Sequence, residues 1–210
     1  MGRFMANEAD NYGGHGGAGF FSLKNDKDVA RVRFMYNKIS DIEGYAVHQI
    51  EIEGKKRYVD CKRAYNEPLD ACPFCAARMP QMAKMFIPVY DVDDGSVKVW
   101  ERGKKFFSEL QSTLSRYTNA DGSVVSQVYD IERHGKPHDT GTTYGIYPVG
   151  QPDNTTLEDL PEVPDVIGGV VMDKSIDEMN DYLRQNNSGN AGGASTDLPM
   201  RRTPARGDRF

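Results

Sequence analysis

All three cysteines of this 210-residue chain, and one of its four histidines, lie in a single stretch between positions 44 and 78. Twelve residues separate His48 from Cys61, ten separate Cys61 from Cys72, and two separate Cys72 from Cys75. The last spacing is typical of a zinc knuckle, in which two thiolates bind one ion. The four residues together predict one Zn²⁺ with a complete set of protein ligands.

A β-hairpin is predicted to bring the first two ligands together. Residues 45–53 and 56–62 flank Gly54-Lys55, and glycine at the first central position favours a type II′ turn. In this register His48 faces Cys61, with Cβ atoms about 4.5–5.5 Å apart, a separation that one tetrahedral ion can bridge. Because protein fills all four positions, we expect structural rather than catalytic zinc.

Other interpretations of these residues stay open at this point. The cysteines could be unrelated buried thiols, with His48 a hydrogen-bonded core histidine, or Cys72 and Cys75 could form a redox pair. The odd cysteine count and the lack of a signal-peptide pattern argue against a disulfide framework. No βαβ pattern surrounds the two close cysteines, which argues against a redox motif. A reducing cytoplasm fits both the lack of a signal-peptide pattern and the thiolate ligands.

Charge is divided unevenly along the chain. Residues 1–150 carry 20 basic and 20 acidic side chains, residues 151–185 carry 2 and 9, and residues 186–210 carry 4 and 2. Charge blocks usually belong to exposed interaction segments. We therefore expect an acidic segment with a short helix at 151–185 and a flexible tail with a basic end at 186–210. The short helix could dock either on the domain or on a partner. No apolar run approaches the roughly 18 residues of a membrane span, so no membrane partner is expected.

Apolar periodicity organises the remainder into a flexible Gly-rich leader at 1–19 and a globular domain at 20–150. The predicted elements are a long strand at 20–38, a hairpin at 81–102 with Val89 opposite Trp100, a helix at 103–117, strands at 123–133 and 142–149, and a helix at 173–184. Five to six strands around one helix predict a mainly β fold: an OB-fold-like closed barrel with a small zinc-binding subdomain at about 44–80. A zinc-ribbon-like β domain is the alternative.

Basic and aromatic residues lie next to each other at several places in the domain. Single strands are bound by a basic groove that follows the backbone and by rings that stack on the bases. Lys104 and Lys105 open the predicted helix, where cations oppose the helix dipole and a nearby phosphate would favour them. The candidate nucleic-acid contacts are Arg31, Arg33, Lys55, Lys56, Arg57, Tyr58, Lys62, Arg63, Tyr65, Trp100, Arg102, Lys104, Lys105 and Arg116.

The order His48, Cys61, Cys72-Pro-Phe-Cys75 within a predicted barrel resembles the zinc-containing single-stranded DNA-binding protein of T-even phages and its tailed-phage relatives. The segments at 44–61, 82–103 and 129–149 are similar to the domain layout of these proteins, and the resemblance covers about residues 20–150. It implies sequence-independent binding and protection of single strands during phage replication, recombination and repair, in the cytoplasm of a bacterial host. It also implies that the C-terminal region recruits phage replication or recombination proteins.

Two features depart from that family. Residues 1–19 hold only one basic residue, Arg3, whereas the family uses a basic N-terminal patch for cooperativity. The end of the chain is basic rather than acidic, although Phe210 resembles the terminal aromatic with which bacterial single-strand-binding tails contact partners. No nucleophile–base pair or open metal position stands out, so no enzyme is expected. The alternatives are a zinc-stabilised RNA-binding or transcription-regulating module and an assembly protein that uses zinc only for stability.

Overall fold

The computed structural model describes residues 19–117, 123–137, 139 and 141–188, and the fold there is mainly β with few helices. The eight strands are β1 (Gly19–Phe20), β2 (Val29–Phe34), β3 (Tyr45–Ile52), β4 (Lys55–Asp60), β5 (Gln81–Asp91), β6 (Ser96–Gly103), β7 (Val128–His134) and β8 (Thr143–Val149). The helices are α1 (Pro73–Ala76), α2 (Lys105–Tyr117) and α3 (Ile176–Ser188).

The predicted closed barrel is wrong for the part of the chain that the structure describes, and an OB-fold is not confirmed. The strands run in the order β1-β6-β5-β2-β7-β8, and no hydrogen-bonded ladder joins the two ends of this described sheet. The sheet nevertheless curls strongly. Three strands separate β6 from β8 in the sheet, yet the rings of Trp100 on β6 and Tyr144 on β8 lie with their centroids 5.2 Å apart. Side chains therefore close the space that backbone hydrogen bonds leave open.

Strand β5 joins the metal-binding hairpin to the rest of the sheet. Its first residues, 81–84, pair with β3, and its last residues, 89–91, pair with β2 on the same side. On its other side, residues 84–91 pair with β6. The hairpin is thus an extension of the main sheet.

The first hairpin differs from the predicted register by two residues. His48 pairs with Val59, and the turn is Glu53-Gly54 rather than Gly54-Lys55. Both turn residues have positive φ, 51° and 74°, which defines the type I′ geometry that matches strand twist. A slip of two residues keeps every side chain on its face. His48 and Cys61 therefore still point to the same side, although they are not directly opposed.

The second hairpin, β5 with β6, also differs from its predicted register by two residues. Ile87, not Val89, pairs with Trp100, and Asp91 pairs with Ser96 across a four-residue loop. The cause is the side chain of Asp91, whose Oδ1 accepts a hydrogen bond from the N–H of Asp93 at 3.1 Å and so begins the turn earlier.

The long strand predicted at 20–38 is interrupted. The carboxylate of Asp28 accepts hydrogen bonds from the backbone N–H groups of Lys24 and Asn25, at 2.9 and 2.7 Å, and so bends the chain before β2. Within β2 the predicted alternation holds, because Val32 and Phe34 are fully buried. They belong to the main core, where Leu110 and Leu114 of α2 also lie.

Parts of residues 151–188 pack on the domain, which is one of the two positions predicted for the helix of this segment. The N–H of Met172 donates to the carbonyl of Tyr58 at 2.9 Å, and the carbonyl of Met172 accepts from Asp60 at 3.1 Å. Val171 and Met179 are both fully buried. The predicted helix at 173–184 is confirmed as α3, three residues shorter at its start and four longer at its end.

Candidate metal centre and nucleic-acid groove

Four side chains that are far apart in sequence form one buried cluster. His48 comes from β3, Cys61 directly follows β4, Cys72 directly precedes α1, and Cys75 lies within α1. Pro73 suits the first turn of α1, because its fixed φ is compatible with a helix start and it lacks only an N–H that would have no helical partner. The structure thus brings together all four residues that the spacing predicts as ligands.

The distances between the ligand atoms fit a single ion. The Sγ atoms of Cys61 and Cys75 are 3.6 Å apart, and Nε2 of His48 lies 3.6 Å from Sγ of Cys72 and 3.4 Å from Sγ of Cys75. All four atoms lie within 4.8 Å of one another. Ligands on a tetrahedral zinc ion, with bonds of about 2.0–2.3 Å, lie roughly 3.5–3.8 Å apart. The cluster could therefore hold one metal ion, and its geometry is compatible with zinc.

The histidine is held in the form that binds metal. Nδ1 of His48 lies 3.0 Å from the carbonyl oxygen of Pro80. A carbonyl can only accept, so Nδ1 carries the proton and Nε2 keeps its lone pair for the cluster. Burial lowers the pKa of His48, which also favours the neutral ring. Backbone and burial together select one tautomer.

The thiols of Cys72 and Cys75 have pKa values shifted in opposite directions. Burial raises the pKa of Cys75 to about 11, and the adjacent Cys61 sulfur adds to this effect. Burial also acts to raise the pKa of Cys72, but hydrogen bonds from neighbouring backbone N–H groups outweigh it, so that this pKa is lowered. Three crowded thiolates repel one another, and a bound dication would remove that repulsion.

A second apolar core covers the cluster. The ring of Phe74, inside the knuckle, meets the ring of His48 with centroids 5.5 Å apart and the ring of Tyr182 at 5.7 Å. Met179 belongs to the same core. The sequence analysis predicted the four ligands but did not predict that α3 packs over them. The apolar side of α3, visible in the sequence as Met179, Tyr182 and Leu183, was the available signal.

A groove of about 580 Å³ lies between the metal module and the start of α2. Ala46 and Ala83 line it and pair directly across β3 and β5, so that small side chains leave the space open. Lys104 and Lys105 supply its positive charge, because the third lining lysine, Lys84, is paired with Glu101. No acidic residue of the described chain is among its lining residues: Ala46, Gln81, Met82, Ala83, Lys84, Gly103, Lys104 and Lys105. This lining suits an anionic ligand.

The loop that carries Tyr65 is attached to one wall of this groove. Arg63 donates to the carbonyl of Glu67 at 3.2 Å and to Oε1 of Gln81 at 3.0 Å. The ring of Tyr65 is 94% exposed, so both of its faces are open to solvent. An exposed ring next to a lysine-lined groove is the combination that single-strand binding uses.

Several predicted nucleic-acid contacts are paired with acids instead. Arg31 forms a two-bonded ion pair with Asp130. Arg33 does the same with Asp153 and also donates to the carbonyls of Val125 and Ser126. In the same way, Lys62 pairs with Asp60 and Asp173, and the hydroxyl of Tyr58 donates to Glu101.

Two others lie against the main core. Trp100 is 1% exposed, so the prediction that its ring stacks on a base is not compatible with this position. The guanidinium of Arg102 lies over the rings of Trp100 and Tyr144, 4.4 and 3.9 Å from their centroids. Burial lowers the pKa of Arg102. Besides the ion-paired Arg31, the predicted contacts that stay exposed are Lys55, Lys56, Arg57, Tyr65, Lys104, Lys105 and Arg116.

No known protein-family model matches this sequence, and no curated protein matches it. The fold and the site define only a class: a mainly β protein with one buried centre of three cysteines and one histidine. No helix in the described residues is both long and apolar enough to cross a bilayer. Phe210, the predicted partner contact, lies outside the described residues.

Proposed function

We infer that this protein binds single-stranded DNA without sequence preference and contains one structural zinc ion. It coats and protects single strands during phage DNA replication, recombination and repair, and it is not an enzyme. The observation that carries this proposal is the lysine-lined groove beside the metal module, with the exposed ring of Tyr65 attached to its wall. The phage context rests on the resemblance in the sequence.

Zinc is the metal that best suits the cluster. Three thiolates and one imidazole are a common structural zinc set, and tetrahedral sulfur–nitrogen sites favour zinc over harder cations. All four ligands are buried. A buried site with four protein ligands has no position for a substrate, so the ion stabilises the fold.

The groove offers the two interactions that single strands need. Lys104 and Lys105 are exposed at the start of α2, where the helix dipole adds positive potential. The first turn of α2 contains no acidic residue that would cancel it. Phosphates can therefore contact this wall, while the ring of Tyr65 accepts a base by stacking.

A salt titration tests this proposal. Binding of fluorescent oligo-dT, measured by anisotropy at several salt concentrations, should be tight, salt-sensitive and much stronger than binding of the matching duplex. Replacing Lys104 and Lys105 by alanine should reduce the slope of log affinity against log salt by about 1.4, since each single-strand phosphate contact contributes about 0.7. Lys24 and Lys27, exposed lysines that do not line the groove, are the matched control pair.

The outcome separates this role from the alternatives. If zinc-loaded protein shows no binding to oligo-dT at low salt, the proposal is wrong and an assembly role takes its place. If oligo-U competes better than oligo-dT, the ligand is RNA, recognised through its 2′-hydroxyls. Contacts with replication or recombination proteins through the C-terminal region, and residence in a bacterial host cytoplasm, belong to the same proposal.

A further inference from the structure

Gln81 connects the metal cluster to the groove. Its Nε2 donates to Sγ of Cys61 at 3.1 Å, and its Oε1 accepts from Arg63 at 3.0 Å. The same residue lines the groove. A single side chain thus contacts a predicted metal ligand, a cation and the ligand-binding surface.

The chemistry of the two partners fixes the orientation of this amide. A guanidinium can only donate, and a metal-bound thiolate can only accept. The oxygen of Gln81 must therefore face Arg63, and its NH₂ group must face Cys61. Glutamate could not donate to the thiolate, and leucine could make neither bond, so glutamine is the side chain that satisfies both neighbours.

Arg63 extends the connection to Tyr65. Its guanidinium bonds the carbonyl of Glu67, and the carboxylate of Glu67 accepts from the N–H of Ala64 at 2.8 Å. These bonds close a tight turn in which Asn66 has a φ of 72°. Tyr65 lies at the exposed point of this turn.

We propose that Gln81 and Arg63 are positioning residues through which the metal centre orders the nucleic-acid groove. A bound ion would hold Cys61, while Cys61 orients Gln81, Gln81 holds Arg63, and Arg63 holds the turn that presents Tyr65. This inference rests on the proposed function for its ligand but concerns a different property, the coupling between the two sites. Because Gln81 is exposed and is not one of the four predicted metal ligands, it can be replaced without removal of a ligand.

Gln81→Leu tests the coupling, with Gln49→Leu as the control. Gln49 lies on the adjacent strand β3, and its side chain forms no hydrogen bond with the described residues. Protein loaded with one Co²⁺ per chain gives a sulfur-to-metal charge-transfer band. That band should shift in Gln81→Leu, because the thiolate of Cys61 loses a hydrogen bond, and stay unchanged in Gln49→Leu. Chymotrypsin should cut after Tyr65 faster in Gln81→Leu.

The affinity of the same proteins for oligo-dT completes the test. Gln81→Leu should bind about threefold to tenfold more weakly than the wild type, which corresponds to the loss of one hydrogen bond in the positioning chain. An unshifted band together with unchanged cleavage and affinity would refute the coupling. If the wild type itself does not bind oligo-dT, the proposed function fails, while the band and the cleavage rate still decide whether Gln81 and Arg63 connect the metal to the turn.

Discussion

Tyr65 and Trp100 each lie two positions from an arginine in the sequence, but of the two rings only that of Tyr65 is exposed to solvent. Trp100 lies on β6, where its partner Ile87 and the ring of Phe106, 5.0 Å away, enclose it. Adjacent charges do not report the direction of a strand side chain. The burial of the ring depends on whether its face of the strand packs on the core, and neighbouring charges in the sequence do not show which face does so.

The exposed ring leads to a prediction about affinity. Tyr65→Ala should weaken binding to oligo-dT by about 1–3 kcal/mol, the usual contribution of one stacked base. Tyr65→Phe should bind like the wild type, because stacking needs the ring and not the hydroxyl. Anisotropy titration measures both variants, and equal affinities for Tyr65→Ala and the wild type would exclude this ring from the interface.

The arginines of β2 illustrate what residue patterns cannot provide. Alternation correctly places Arg31 and Arg33 on the face opposite Val32 and Phe34. The partner of Arg33 is Asp153, 120 positions later in the chain, and it lies in the predicted acidic segment at 151–185. That ion pair lowers the pKa of Asp153 to about 2. The charge of Arg33 therefore supports the fold.

At the scale of elements, the two hairpins show why the metal ligands could be predicted when the turn could not. Turn type depends on local detail, and Glu53 adopts a positive φ that few residues favour. Face depends only on whether positions are odd or even, so an error of two residues left His48 and Cys61 on one side. Three sulfurs and one imidazole could then meet despite the wrong register.

Helix α3 is an element whose role the sequence left open between the domain and a partner. It packs on the metal module, and Met179 is fully buried there. Met179→Ala should lower the free energy of unfolding by about 2–5 kcal/mol, the usual cost of a large-to-small change in a core. Urea unfolding followed by circular dichroism gives this value.

Gln185→Ala is the matched control on the same helix. Gln185 is exposed, and alanine favours helix, so that this variant should unfold within about 0.5 kcal/mol of the wild type. Equal stabilities for the Met179 and Gln185 variants would mean that α3 does not contribute to the fold in solution.

For the whole molecule, composition and periodicity predicted a mainly β domain correctly and its closure incorrectly. Strand number and length suit a barrel, but closure requires a ladder between the first and last strands, which depends on curvature and stagger. In the described chain, contacts such as Trp100 with Tyr144 close the interior instead. Curvature arises from packing between distant segments, which local patterns do not encode.

Removal of the metal should affect the whole molecule, because the cluster joins β3, the end of β4 and the knuckle. Cys75→Ser should lose the bound zinc and lower Tm by roughly 10 °C or more, since metal binding and folding are coupled. Metal analysis and scanning calorimetry test this. A variant that keeps its melting temperature without zinc would show that packing around Phe74 is sufficient by itself.

The burial of Met179 against the knuckle also sets the order in which a newly made chain can finish folding. During synthesis, Cys75 leaves the ribosome about a hundred residues before Met179, and a domain generally folds as a unit, which requires all of its parts. For most of that interval the ring of Phe74 therefore lacks its contacts with α3, which Met179 and Tyr182 provide in the complete fold. The thiols of the knuckle are most accessible to oxidants and to competing metals in this nascent state, before translation of the C-terminal helix encloses them.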